Sequence, residues 1–590
     1  MRIATFFLAL YACCAAAIWP IPSSYTSGEA VLWIDAGVRI TYNGANNYSG
    51  NGVPYADNTT TSHRIVTAAI ERTYDTIFSK NFIPWKFHPR NSDFEPHANA
   101  SKTCISSVVL QQNDADPSDV LKPAAGTVHE SYSLTVSVSG EVMISAVTSI
   151  GLVRGLTTFT QLFFKHSDGS VYTTLAPVAI QDAPKFQHRG LNMDVSRAYY
   201  PPAAIYRTID ALAYNKFNRL HLHATDSQSW TLEIPSLPLL AEKGAYEKGL
   251  SYSPAVLQQI QEYGALQGVE VYIEIDMPGH TSSIWFAYPD LIAAFNVQPN
   301  WDSYAAEPPS GTLKLNSTAV YDFLNTLFDD LLPRVSQYSS YFHTGGDEVN
   351  VNAYKLDNTV GTNDTAVLQP LIQKLVDRNH AQVRANGLIP VVWEEMLLVW
   401  NLTLGSDVVV QSWLSDATEG SQGAGGKLQL LGKFHTYSNK KYTNLILMAT
   451  HQYLDCGHGQ WLNFNPGTSS ETFYPYADYC SPRKNWRLMY AYDPLHGVPS
   501  DLAHLVLGGE CSIWSEQTDP VNLDRNVWPR ACAAAEVLWS GAKDAQGQNR
   551  SQVTAAPRLS EMRERLVARG VMAEPIQMPF CTQNGSQCSL

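Results

Sequence analysis

Tyr341-Phe-His-Thr-Gly-Gly-Asp-Glu-Val-Asn350 starts as a short apolar strand and ends on two glycines, two adjacent acids and a polar tail. A lone Asp-Glu pair is ordinarily a solvated acidic turn. Here the glycines let the backbone approach a ligand closely or take an unusual turn, so the strand delivers Asp347 and Glu348 to its own end. The same texture recurs along the chain after Pro184. Short apolar runs at 190–195, 220–224, 269–275, 341–344, 389–393, 408–413, 444–449 and 505–508 alternate with stretches of helical periodicity such as 203–217, 254–267, 319–335 and 365–385. Eight such units predict an α/β protein whose main domain, 184–545, is a (β/α)8 TIM barrel.

The residues at the end of each strand carry the functional reading. The eight runs lead in turn to Asp194 and Arg197, His223 and Asp226, Asp276 and His280, Asp347 and Glu348, Trp393 and Glu394, Trp413, Tyr453 and Asp455, and Trp514 and Glu516. Active sites of such barrels are built at the C-terminal ends of the strands. Carboxylates, imidazoles, one Arg and several Trp converging there predict a pocket for a polar ring with apolar faces: Trp and Tyr stack on sugar CH faces, and carboxylates and Arg bind hydroxyls.

Outside the barrel, the opening apolar run closed by Ala15, Ala16 and Ala17 reads as a secretory signal over 1–17, being short for a membrane anchor. Residues 18–101, rich in Ser, Thr, Asn, Gly and Pro, are expected to be a loop-rich segment. The run SYSLTVSVSGEVMIS at 131–145 alternates around a Ser-Gly turn and predicts a hairpin, and Leu152, Leu156, Phe159, Leu162 and Phe163 predict a helix after it, so 102–183 reads as a small α+β domain. Residues 546–590 are left as a C-terminal helix and tail.

Charge and cysteines bound the chemistry further. A net charge of −14 without an obvious cationic face argues against a nucleic-acid partner, and no later stretch is long and apolar enough to cross a membrane. Asn-x-Ser/Thr sequons at Asn47, Asn58, Asn99, Asn316, Asn363, Asn401, Asn549 and Asn584 are permissive for glycosylation of a secreted, extracellular protein. Beyond Cys13 and Cys14 there are seven cysteines, an odd number; proximity favours Cys456 with Cys480 and Cys581 with Cys588. Neither CxxC nor HExxH is present, so no metal and no cofactor is expected.

HTGGDEVN at 343–350 resembles the signature of the β-N-acetylhexosaminidases of glycoside hydrolase family twenty, and the fungal secreted members most of all. RGLNMDVSRAYY (189–200), HLHATDSQSW (221–230), EIDMPGH (274–280), VVWEE (391–395), QYLDCG (452–457) and GGECSIWSEQ (508–517) look like the family too, so the likeness spans about 104–540. It implies exo-acting hydrolysis of terminal N-acetylhexosamine from glycans or chitooligosaccharides, without an enzyme nucleophile. Carried over, Glu348 is the proton donor and then the base, Asp347 steers the substrate's acetamido group, and Tyr453 bonds its carbonyl from the other side. Arg197 clamps the 3- and 4-hydroxyls, Asp455 and Glu516 hold the 4- and 6-hydroxyls, Trp393, Trp413 and Trp514 wall the pocket, and Asp226 and His280 orient the acids. The resemblance also implies a propeptide within 18–101, cleaved after folding and retained, and a homodimer formed through the barrel.

Bland readings stand beside these. Arg197 could be a structural ion pair with Asp194, and His280 a satisfied core histidine. An ordinary retaining glycosidase would use Glu394 or Glu516 as nucleophile, and a binding protein on a decayed barrel would dispense with Asp347 or Glu348. Departures from the family pattern cluster at 415–450, Gly-rich and then basic, at Gln452, where relatives commonly carry Trp, and more mildly at Tyr354. The wall near Tyr453 is therefore the expected weak point.

Overall fold

The computed structural model describes residues 18–48, 60–97, 102–414, 445–449, 452–463 and 478–588. The expected leader and most of 415–450 lie outside them.

The N-terminal domain is one mixed sheet backed by two helices. Its strands are β1 (Ser24–Tyr42), β2 (Ala45–Tyr48), β3 (Cys104–Gln112), β4 (Tyr132–Val136), β5 (Glu141–Ala146), β6 (Phe164–Lys165) and β7 (Val171–Asp182), in the order β2-β1-β3-β5-β4-β7-β6 with an added β1–β7 pairing. The predicted hairpin is β4–β5, antiparallel with Val136 opposite Val142. Ile105, Val108, Leu110, Leu134, Val142 and Ile144 point into a core shared with helices Thr61–Tyr74 and Ser149–Thr160. Both helices are N-capped by threonine, Thr60 accepting from the His63 N–H and Thr148 from the Gly151 N–H.

The expectation of a loop-rich segment over 18–101 is corrected here. β1 is 19 residues long, pairs with both β3 and β7, and buries Leu32, Trp33, Ile34, Val38 and Ile40. The small domain therefore begins at residue 18. Register shifts between Ser27 and Ala30, Ala30 and Leu32, and Ile34 and Arg39 break the period-two pattern that would mark a strand in sequence.

Eight parallel strands close the barrel: β8 (His188–Asp194), β9 (Arg219–Thr225) and β10 (Glu270–Ile275), then, beyond a small antiparallel pair β11 (Ile292–Ala293) and β12 (Thr312–Leu313), β13 (Tyr341–His343), β14 (Ile389–Trp393), β15 (Val409–Ser412), β16 (Ile446–Met448) and β17 (Val506–Ile513), which returns to β8. All eight predicted strands are present, the last running further than the expected 505–508. Helices Pro202–Tyr214, Pro254–Ala265, Thr318–Val335 and Thr365–Ala385 fill the outer ring where predicted. Strand alternation sends Arg219, His221 and His223 of β9, and Glu270, Tyr272 and Glu274 of β10, into the barrel, where an apolar layer of Tyr272, Tyr341, Val391, Val409, Leu447 and Leu507 closes the lower end.

The two domains are joined through buried charge. Lys216 lies 2.7 Å from Asp182, which also takes the Trp539 indole N–H at 3.0 Å, and Glu130 joins Arg154 at 2.9 Å to Arg189 at 2.6 Å. Trp19 is fully buried against helix Arg530–Ser540, its indole donating to the Cys532 carbonyl at 2.9 Å. Disulfides join Cys456 to Cys480 and Cys581 to Cys588; Cys104, Cys511 and Cys532 are free.

Candidate active site

A cavity of about 250 Å³ opens at the C-terminal end of the barrel, lined among others by Arg197, His280, Asp347, Glu348, Trp393, Trp413, Tyr453, Trp514 and Glu516. Of the residues expected to form the site, these nine share its wall. Asp226 is fully buried behind the wall, bonded to His223 and His280, and Asp455, part-exposed, accepts from the hydroxyl of Tyr479, which lines the cavity.

The turn after β13 is shaped by its glycines. Gly345 and Gly346 have φ of +66° and +110°, and a Cβ on Gly345 would lie 1.7 Å from the Asp276 Oδ1 atom. No L side chain fits there. The turn is fastened where it is tightest, the Gly346 N–H donating to Asp276 Oδ1 at 2.8 Å. Glu348 itself takes a φ of +50°, a left-handed conformation that turns its side chain out of the strand direction and leaves it partly exposed.

Asp347 and Asp276 form a carboxyl pair. Burial pushes both upward and mutual repulsion pushes Asp276 further, while His280 and the bond from Asp276 restrain Asp347. Asp276 Oδ2 and Asp347 Oδ1 have no other hydrogen-bond partner, so one proton kept on Asp276 and donated to Asp347 satisfies both. Asp347 is left as an acceptor.

His280 Nδ1 sits 3.0 Å from Asp226 Oδ1, and its Nε2 3.4 Å from Glu348 and 4.0 Å from Asp347. Burial works against its charge, but Asp226 and Asp347 outweigh it and raise the imidazole well above its usual value. Asp226 also holds Arg197 at 2.9 Å and His223 at 2.7 Å; burial is overcome, and its carboxyl stays well below the ordinary range. Arg197 reaches Asp194 at 3.5 Å, Glu307 at 3.2 Å and the Trp514 ring at 5.2 Å. The ion pair with Asp194 is thus real, and it coexists with a place on the cavity wall.

The opposite wall is aromatic and protonated. The Trp413 indole donates to both oxygens of Glu395, at 3.0 and 2.9 Å, and burial together with Asp347 pushes Glu395 up to about 9. Asp455 accepts from the Tyr479 hydroxyl at 2.9 Å and the Trp514 N–H at 3.3 Å, and burial lifts it to about 6. Glu516 is raised well above normal by burial and then by Glu307. Burial and the surrounding acids keep the Tyr453 phenol protonated, a donor. Gln452 is fully buried behind this wall, its side chain against Cys511 at 3.5 Å, and its backbone ties residues 452–454 to β17 through Ser512. The departure from Trp at this position therefore does not open the cavity.

Among the described residues, His221, Glu274 and His343, and likewise Asp276, His280 and Asp347, have metal-like spacing. Glu274 is already engaged by His223 and the Trp393 indole, and Asp276 Oδ1 by the Gly346 N–H. A third group, Asp455, Cys456 and Cys480, is closed by its disulfide.

Residues 186–542 match the glycosyl hydrolase family 20 catalytic domain, and residues 18–162 match a beta-acetyl hexosaminidase like domain. A beta-hexosaminidase of Arthroderma benhamiae is 41% identical over 97% of this chain and 97% of that one, and one of Emericella nidulans is 30% identical over 90% of each. In solved structures the fold recurs in Flavobacterium johnsoniae chitobiase, with a TM-score of 0.70 at 23% identity over 94% of this chain and 73% of that one. It recurs also in the Vibrio harveyi exo beta-N-acetylglucosaminidase bound to N-acetylglucosamine, with a TM-score of 0.68 at 19% identity over 96% and 79%. The chain belongs to glycosyl hydrolase family 20.

As a family 20 member it is a glycoside hydrolase, an exo-acting β-N-acetylhexosaminidase of the retaining, substrate-assisted kind. Three parts of this family 20 site were not assigned from sequence. Asp276 follows β10 and was visible as a rim acid, but its pairing with Asp347 is tertiary. Glu307 comes from the long connection between β11 and β12, which carries no strand-end signal. Tyr479 reaches the pocket because its neighbour Cys480 is bonded to Cys456, so the cysteine spacing was its one clue.

Proposed function

We propose that Glu348 protonates the departing glycosidic oxygen and afterwards activates water, while Asp347 accepts the substrate's acetamido N–H and turns its carbonyl oxygen toward the anomeric carbon. The observation that carries this reading is the placement of the two adjacent acids at unlike depths in one cavity. Glu348 is part-exposed with His280 behind it, and Asp347 is buried as a hydrogen-bond acceptor beside the Trp393, Trp413 and Trp514 rings. Attack by the substrate's own amide gains the advantage of an intramolecular reaction, and a buried carboxylate stabilises the positive charge that develops. Tyr453, held protonated, is placed to donate to the carbonyl oxygen. Arg197 offers hydroxyls a forked cation, and Glu516 a protonated carboxyl that both donates and accepts.

The competing nucleophiles fare poorly. Glu394 is fully buried, bonded to the Ser412 hydroxyl at 2.8 Å and the Leu414 N–H, and pushed up to about 7 by burial, with no place on the cavity wall. Glu516 is protonated beside Glu307, and a neutral carboxyl is a weak nucleophile. Rates on p-nitrophenyl β-glycosides with and without the 2-acetamido group test the assignment: turnover is expected only with it, and comparable rates on plain β-glucosides would end it.

The substrate class we assign is terminal N-acetylglucosamine or N-acetylgalactosamine on chitooligosaccharides or glycans, supported by the chitobiase and N-acetylglucosamine-bound relatives. We further propose a secreted glycoprotein. Sequon residues Asn316, Asn401 and Asn549 are exposed, and two disulfides suit an oxidising compartment. Among the described residues no helix is long and apolar enough to cross a membrane. Mass spectrometry of culture-medium protein before and after deglycosylation checks this; protein found only inside cells, or without attached glycan, counts against it.

A further inference from the structure

We propose that Glu274 is a positioning residue for the reaction, a single buried carboxylate that fixes the acetamido wall and the His280–Glu348 pair relative to one another. It lies on β10, fully buried and off the cavity wall, so it touches no substrate.

Two of its contacts lead to different parts of the site. Oε1 accepts the Trp393 indole N–H at 2.8 Å and so sets the tilt of that ring. Oε2 meets His223 Nδ1 at 2.6 Å; His223 Nε2 meets Asp226 at 2.7 Å; and Asp226 holds Arg197 at 2.9 Å and His280 at 3.0 Å. His280 is the group that faces Glu348. His343 packs alongside: its Nδ1, which accepts the N–H of Gly345 at 2.9 Å, lies 2.9 Å from Oε1 with no proton to share with it. His221 Nε2, at 3.0 Å, completes the surroundings. Burial opposes the carboxylate's charge, yet His343, His223 and His221 keep it well below the ordinary range, so it stays an anion.

Chemistry predicts how a minimal change would propagate. In Glu274→Gln the amide oxygen must stay with Trp393, because an indole N–H can only donate. The new NH2 then faces His223, which has to accept at Nδ1 and becomes neutral. The wall survives, while the relay through Asp226 to His280 and Glu348 loses its charge and its register. The loss should therefore fall on proton delivery and spare binding.

This inference rests on Glu348 as proton donor, and the test separates the two. kcat and KM are measured for Glu274→Gln and for Glu348→Gln on a p-nitrophenyl 2-acetamido glycoside and on a disaccharide, whose leaving group needs the proton. Glu348→Gln should lose far more on the disaccharide; equal losses on both substrates would remove Glu348 as donor and overturn the relay along with it. With Glu348 upheld, Glu274→Gln should lower kcat on the disaccharide by about 10- to 100-fold, less on the activated substrate, with KM held within about threefold. Adding it to Glu348→Gln should cost little more, since both act on one step. Equal losses of Glu274→Gln on the two substrates, kcat within about twofold of the parent, or full additivity in the double variant would each overturn the role of Glu274 alone and leave the donor standing. Should Glu274→Gln fail to fold, His223→Gln breaks the same relay one bond nearer the site and is held to the same outcomes.

Discussion

Apart from Asp276, which keeps a proton against Asp347, the half of the pocket rim supplied by β8, β9, β10 and β13 is wired by charge, whereas the half after β14 to β17 is built from rings and from carboxyls that keep their protons. Both halves bury acids, yet Asp226 stays well below its usual range and Asp455, Glu395 and Glu516 rise above theirs. The difference is the cation. Arg197 and His280 neutralise Asp226, while on the other side Glu395 and Asp455 are met chiefly by N–H and O–H donors such as Trp413 and Tyr479, and Arg197 does not outweigh the burial of Glu516. A charged half can move a proton; a neutral half can hold hydroxyls without repelling anything.

The sharpest way to break this comparison is to remove the acids where the halves meet. Asp347→Asn and Glu348→Gln are each expected to lower kcat on unactivated substrate by roughly 10²–10³-fold with the circular dichroism unchanged. Rates near the parent's would show that the charged half does not carry the chemistry. Next comes Arg197→Met, which leaves Asp194, Asp226 and Glu307 without their common cation. A loss of about 3–5 kcal/mol in urea unfolding is expected, along with weaker binding, because an uncompensated buried charge is costly. A neutral effect on stability would mean that water already compensates these acids.

The protonated half has its own signature in pH. Asp455, Glu394 and Glu395 have folded values of about 6, about 7 and about 9 against ordinary values of 3.8, 4.5 and 4.5. Each is raised, so its contribution is full below the unfolded value and is lost as pH rises through the folded one. Raised His223 and His280 act in the same direction. The lowered, neutral imidazoles of His188, His343 and His380 act the other way below about pH 7, so unfolding free energy should decline between about pH 7 and about pH 9, and Glu395→Gln should flatten that slope. A rising or level profile over that range contradicts the protonated half. The smallest effect belongs to Tyr479→Phe, which deletes one hydrogen bond to Asp455. About 0.5–1.5 kcal/mol, or roughly two- to tenfold in KM, is expected with kcat held; a matching fall in kcat would move Tyr479 into the chemistry.

Much of this was legible in the chain. The eight barrel strands are short apolar runs whose ends carry acids and Trp, and a strand end reaches the rim wherever the strand closes into a barrel. The GGDE turn was legible for the same reason, since its glycines answer to local sterics at Gly345 and Gly346. What escaped were residues whose meaning lies in a partner far off in sequence. β1 hid behind its register shifts, Asp276 met its partner Asp347 only in the fold, and Glu307 arrived from a connection with no regular pattern.

The chain by itself determined the period of its strands, the turn that presents Asp347 and Glu348, and the kinds of side chain at each strand end, because backbone sterics and hydrophobic alternation act over a few residues. Only the closed barrel decided which carboxyls are charged. A proton stays or leaves according to burial and the nearest cation, and Glu274 meets His223, His343 and Trp393 solely because β10 curves past β9, β13 and β14 around one axis.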